Sequence, residues 1–159
     1  MNSNDPNVAM LEVVAERLGD ALREEMVFVG GAVAGLLITD PAQPAIRPTE
    51  DVDLLCQAVA LPEYHRVEKA LRGRGFVQDI RPEAPTCRWR VGMVAVDVMP
   101  SLESILGFSN RWYPLALNSA EQVVLPSGRR IRLIGAPAFL ATKLEAFDGR
   151  GQGDFLWAI

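Results

Sequence analysis

The sequence predicts an α/β (α+β) fold in which helices flank a mixed β-sheet. Three observations predict it. Stretches with apolar residues at helical spacing alternate with short runs rich in valine and isoleucine. Glycine and proline punctuate the chain between those stretches. The 159 residues, 49% hydrophobic and 23% charged, suffice for one core, and no repeat, low-complexity tract or linker divides residues 1–159.

Each element has its own reason. Asp5-Pro6 reads as a cap followed by proline in a first helical turn, and Val8, Leu11, Val14, Leu18 and Leu22 then form one apolar stripe. "MVFVG" (Met26–Gly30) is a short buried strand, and "GAVAGLLITD" after it is a short apolar helix weakened by Gly35. "PAQPAIRPTE" holds three prolines in ten residues, so it is a connecting loop. "DVDLLCQAV" is the next strand. "LPEYHRVEKALRGRG" is a helix with Pro62 near its start and Gly73 or Gly75 at its end. "FVQDI", "CRWRV" and "MVAVDVMP" read as three strands, with turns at Pro82, Pro85 and Gly92. "SLESILGF" is a helical turn, and "NRWYP" (Asn110–Pro114) is a polar-aromatic loop, a lid or acceptor contact or simply loop packing. "EQVVLPSGRRIRLI" is a hairpin around Pro126-Ser127-Gly128, and "GAPAFLATKLEAFDGRG" is a closing amphipathic helix.

Bulk properties exclude several classes. A net charge of −4 argues against strong general affinity for nucleic acid. The charge is uneven, however. Acids dominate the first third, while arginines dominate the middle (Arg66, Arg72, Arg74, Arg81, Arg88, Arg90), so a basic face beside an acidic cleft is compatible with the sequence. Two cysteines and one histidine cannot build a metal cluster or a disulfide framework. Cys56 reads as a small buried hydrophobe. The polar, acidic N-terminus lacks a signal-peptide pattern, and no apolar run is long enough to span a bilayer, so a cytoplasmic protein is expected.

Two stretches carry chemistry. In "DVD", strand alternation puts Asp51 and Asp53 on one face, roughly 7 Å apart, with Val52 and Leu54 turned to the core. Like charges held together call for a cation between them. Oxygen-only ligands suit magnesium or manganese. Asp97 stands alone in the apolar "VAVDVMP", and it completes a three-carboxylate cluster if its strand neighbours "DVD". A cluster of that kind can hold two ions. Gly30-Gly31 lies at a strand-to-helix junction, where backbone N–H groups can meet phosphate oxygens. Each feature also has a plain reading: close packing for the glycines, a solvated strand end for "DVD", a satisfied buried acid for Asp97. Trp89, between Arg88 and Arg90, reads as a core tryptophan or a base-stacking platform, and His65 as a surface residue.

The order "FVGG…DVD…VDV" resembles the DNA polymerase β-like nucleotidyltransferase superfamily. "RPTEDVD" and "FLATKLEAFDGRGQGD" are similar to its AbiEii-type members, several of them toxins of toxin–antitoxin or abortive-infection systems. The resemblance spans roughly Met26 to Asp154. It implies the nucleotidyltransferase fold, with Asp51, Asp53 and Asp97 as metal ligands and Asp97 also assisting deprotonation of the attacking hydroxyl. It implies phosphate contacts from Gly30 and Gly31, a nucleotide contact or strand cap at Thr49, charge neutralisation by Lys143, and support from Asp154. The implied reaction is Mg2+-dependent transfer of NMP from an NTP to a hydroxyl of tRNA, a protein or a small molecule, with an antitoxin protein as a partner and no membrane association. A degenerate, non-catalytic nucleotide- or partner-binding module is the other reading. Such relatives continue into a further helical part, so the resemblance implies either a minimal form or a chain lacking that part after "FLWAI".

Overall fold

In the computed structural model, residues 4–40, 42 and 46–150 are described. Helix α1 (Pro6–Glu25) starts where the sequence signals it: the Asp5 carboxylate accepts the Asn7 amide at 2.8 Å, and Pro6 stands in the first turn. It is not continuous, because Gly19 adopts φ 71° and ψ 171° inside it. Two carbonyls freed by that break are taken by guanidiniums. Arg23 donates to Ala15 at 2.8 Å, and Arg74 donates to Arg17 at 2.9 Å. The Arg74 side chain also fills the space where a Cβ on Gly19 would sit.

Strand β1 (Met26–Val29) is followed by a 3-10 turn at Gly31–Val33 and the short helix α2 (Ala34–Leu37). Then come β2 (Asp51–Cys56), α3 (Leu61–Gly73), β3 (Val77–Gln78), β4 (Arg88–Val91) and β5 (Val94–Pro100). Helices α4 (Glu103–Leu106) and α5 (Tyr113–Asn118), strands β6 (Glu121–Val124) and β7 (Arg130–Leu133), and helix α6 (Ala136–Arg150) complete the described chain. Two expectations need correction. "FVQDI" yields only the two-residue β3; the Asp79 amide after it still donates to the Arg88 carbonyl, while its carboxylate takes Arg81 and Arg90. The segment expected as the loop Asn110–Pro114 runs directly into α5, with Pro114 in its first turn.

The sheet has seven strands in the order β3-β4-β5-β2-β1-β7-β6. Pairs β2/β5 and β1/β7 are parallel and the rest antiparallel, so the mixed α/β class expected from the sequence is observed. Strand alternation divides the two faces. One face carries Val52, Leu54, Trp89, Val96 and Val98, all fully buried. Helix α3 covers it: Arg72 lies over the Trp89 ring, and the Tyr64 hydroxyl donates to the Val98 carbonyl. Helix α1 packs alongside, tied to α3 by Arg74. The other face carries Asp51, Asp53, Asp97 and Arg88. Helix α5 covers only its far end, where Tyr113 meets Met99. Among the described residues no helix is long and apolar enough to cross a membrane.

Candidate active site

Strands β2 and β5 run side by side in parallel with Asp53 opposite Asp97 and Asp51 opposite Ala95. That register puts the three carboxylates on one face. One oxygen from each lies within 4.8 Å of the other two. Asp97 is buried, and Asp51 and Asp53 are half-buried. The condition the sequence set for a three-carboxylate cluster, adjacent strands, is met.

The cluster holds a cation of the protein's own. Antiparallel pairing of β4 with β5 sets Arg88 opposite Asp97. The guanidinium donates Nε to Asp97 Oδ1 at 2.8 Å and Nη2 to Asp97 Oδ2 at 2.8 Å. The same Nη2 reaches Asp51 Oδ2 at 2.6 Å. This is a bidentate fork with a third arm. Burial pushes the Asp51 carboxyl above its ordinary range, with the Asp97 charge adding to the rise and Arg88 opposing it. Hydrogen bonding to Asp97 raises Arg88 further above the usual arginine range. Three carboxylates and one guanidinium leave a formal charge of −2.

The donor set fits a hard divalent ion. Magnesium takes oxygen ligands at about 2.1 Å, so two of them on opposite sides span about 4.2 Å, and the observed 4.8 Å closes with small rotations of the side chains. Asp51, Asp53 and Asp97 would hold such an ion, with Arg88 giving up its arm on Asp51.

The glycine pair belongs to the same place. Gly30 has φ 75°, in the left-handed region. A Cβ there would stand 1.9 Å from Asp53 Oδ2, and one on Gly31 would stand 2.8 Å from Thr49 Cγ2. The glycines thus let Asp53 and Thr49 close down on the turn after β1. The close packing that the sequence allowed for the glycines is observed, and it is packing against a carboxylate of the cluster. Thr49 donates its hydroxyl to the Asp51 carbonyl at 3.0 Å, so it ties the entry of β2.

Sequence reasoning missed two residues. Asn7, only 2% exposed, accepts the Thr49 amide at 2.9 Å and donates to the Arg47 carbonyl at 3.2 Å, fixing the end of the proline-rich loop to α1. An asparagine on the buried side of an amphipathic helix was the only signal. Arg88 had a better one. The turn Gly92-Met93 joins β4 to β5, and counting outward from a two-residue hairpin pairs Arg88 with Asp97.

Trp89 is wholly buried, so it is a core residue and no base can stack on it. Lys143 is half-buried on α6 with its ammonium 5.8 Å from the Phe139 ring centre. Asp154 lies outside the described residues. His65 is on the surface, paired with Glu68.

No family model and no curated protein matches this chain.

Proposed function

We propose that the chain is a magnesium- or manganese-dependent nucleotidyltransferase, moving NMP from an NTP to an acceptor hydroxyl. The observation that carries this reading is the convergence of three carboxylates from two parallel strands beside a glycine turn that abuts one of them. Carboxylate-held metal supplies charge neutralisation at the phosphates and a more acidic acceptor hydroxyl. Asp51 and Asp53 hold the nucleotide side. The turn at Gly30-Gly31, on which Asp53 and Thr49 close, would lie beside the nucleotide phosphates. Asp97, at the β4 side of the cluster, would face the acceptor and take its proton. The acceptor oxygen then bonds to the α-phosphorus, the bond to the β-phosphate oxygen breaks, and pyrophosphate leaves. Arg88 remains beside Asp97 to hold its orientation. The resemblance to AbiEii-type toxins makes tRNA the first acceptor to try and an antitoxin protein the first partner to seek, in a cytoplasmic setting.

One observation favours a second reading. Arg88 already neutralises part of the cluster, as it would in a binding module that never takes up metal. Thermal-shift titration with ATP, GTP, CTP and UTP, each with and without magnesium, separates the two. Transfer predicts a magnesium-dependent rise with at least one NTP, lost in Asp51→Asn/Asp53→Asn. It also predicts label transfer from that α-32P-NTP to an RNA, protein or small-molecule pool, lost in Asp97→Ala. Full labelling by Asp97→Ala sinks the mechanism. NTP binding with no labelled product in any pool leaves the binding module.

A further inference from the structure

Asp51 stands at the margin of the sheet. Pairing of β1 with β2 ends at Val29 opposite Asp53, so Asp51 lies beyond that ladder, and its strand partner is Ala95 of β5. Its side chain is also 32% exposed, against 11% for Asp97. A ligand to a small hard ion has to be held to within about 0.5 Å by the residues behind it. Something other than β1 must hold the entry of β2.

That support comes from the first turn of α1. Asn7 is buried there, although asparagine is a mediocre helix former. The helix does not need its carboxamide, because Asp5 already supplies the cap by accepting the Asn7 amide. The carboxamide is turned instead to the chain that leads into β2. Its Nδ2 donates to the Arg47 carbonyl at 3.2 Å, and its Oδ1 accepts the Thr49 amide at 2.9 Å. One donor and one acceptor meet alternate residues, as a peptide group of a neighbouring parallel strand would. The side chain thus serves as a strand partner where β1 provides none. An amide does this without adding a fourth negative charge beside the cluster.

Thr49 passes the support on in two directions. Its hydroxyl donates to the Asp51 carbonyl at 3.0 Å. Its methyl Cγ2 would stand 2.8 Å from a Cβ on Gly31, so it packs on the glycine turn. A buried side chain forty-two residues before Thr49 therefore sets both the backbone of a metal ligand and the turn beside it.

We infer that Asn7 is a positioning residue for the metal site, acting through Thr49 on Asp51 without touching the ion. This inference rests on the metal-binding part of the nucleotidyl-transfer reading.

The test is Mn2+ binding to the full chain without nucleotide, read by electron paramagnetic resonance. Wild type is compared with Asn7→Ala, Asn7→Ser, Thr49→Val, Asn7→Ala/Thr49→Val and Ile131→Val. Circular dichroism checks that each is folded, and every titration is run well below the lowest Tm. Asn7→Ala is expected to bind Mn2+ about tenfold more weakly, the low end of what residues behind a metal ligand usually cost. Asn7→Ser, the milder change, should fall between alanine and wild type, and it decides the matter if the alanine variant does not fold. Thr49→Val keeps a methyl for Gly31 and loses the hydroxyl, so it should weaken binding too. The double variant should lose less than the product of the two single effects, because both act along one path. Ile131→Val, buried on β7, should lose stability and keep its affinity. Wild-type affinity in the Asn7 variants overturns the inference. So does a double variant whose loss equals the product, or a loss in Ile131→Val as large as that in Asn7→Ala. No Mn2+ binding by wild type overturns both the inference and metal-dependent transfer. Mn2+ binding that tracks Asn7, with no NTP stabilisation in wild type, topples the transfer reading and leaves the positioning role standing.

Discussion

Removing Arg88 should expose how much the carboxylate cluster strains the fold. Arg88→Gln keeps part of the side chain's bulk and deletes the charge that bridges Asp97 and Asp51. Two carboxylates 4.8 Å apart repel by about 1 kcal/mol at the permittivity of water and about 3.5 kcal/mol at an effective value of 20. Breaking a fully buried pair costs about 3–5 kcal/mol. Here Arg88 is 22% exposed, Asp97 11% and Asp51 32%, so solvent relieves part of that, and about 2 kcal/mol is the expected loss. For a chain of this length that lowers Tm by about 4–8 °C. The sign with pH follows from Asp51. Its folded-state pKa is already raised, mainly by burial, and losing Arg88 raises it further. A raised acid favours the fold most below its unfolded value of about 3.9 and loses that advantage as pH climbs through the folded value. The deficit of Arg88→Gln should therefore be small near pH 4 and full at pH 7. Magnesium should reverse it, because the ion no longer competes with a guanidinium. The assay is Tm by scanning fluorimetry, at pH 4 and pH 7, without and with magnesium. An unchanged Tm at pH 7, or a magnesium response no larger than that of wild type, refutes the reasoning.

Further outcomes follow from other contacts. Gly30→Ala should lower Tm and weaken magnesium-dependent NTP stabilisation together, because its Cβ would stand 1.9 Å from Asp53 Oδ2 at a backbone φ of 75°; equal NTP response in the variant counts against the shared site. Asp79 has a depressed pKa, so its stabilisation is present above the unfolded value of about 3.9 and is lost as pH falls through the lower folded value. The Tm difference between wild type and Asp79→Asn should then be constant above about pH 5 and shrink progressively as pH falls below about 4. Burial pushes both the Cys56 and Cys87 thiols up to about 12, so an aromatic disulfide reagent at pH 8 should label neither in the folded protein and both after denaturation.

Most of the strands and the mixed sheet were legible because the chain obeys local rules: proline near helix starts, glycine at turns, alternation along β2 and β5. The carboxylate trio was legible too, as a condition that only the pairing of β2 with β5 could meet. What the sequence hid was mostly tertiary. Gly19 looks like an ordinary helix position until Arg74 and Arg23 cap the carbonyls that its break frees. Asn7 serves a loop forty residues away, a contact that no local period encodes. Trp89 flanked by arginines suggests a stacking platform, yet strand alternation sends the indole inward under α3 and the arginines to the opposite face. That same alternation brings Arg88, not Trp89, to the carboxylate cluster.

The charges on that face argue for use. Three acids with one arginine leave a formal −2 on partly buried strands, and an ion cluster of this kind is often less stabilising than well-packed apolar side chains would be. Asp51 is held above its normal pKa mainly by burial, so the fold opposes the ionised form there. A few residues along β4 the charges balance: Asp79 and Glu83 stand against Arg81 and Arg90. That group neutralises itself, as a purely structural network tends to, whereas the carboxylate cluster keeps a residual negative charge on the face that α1 and α3 leave uncovered. The acidic cluster is therefore the part of that face that calls for a cation.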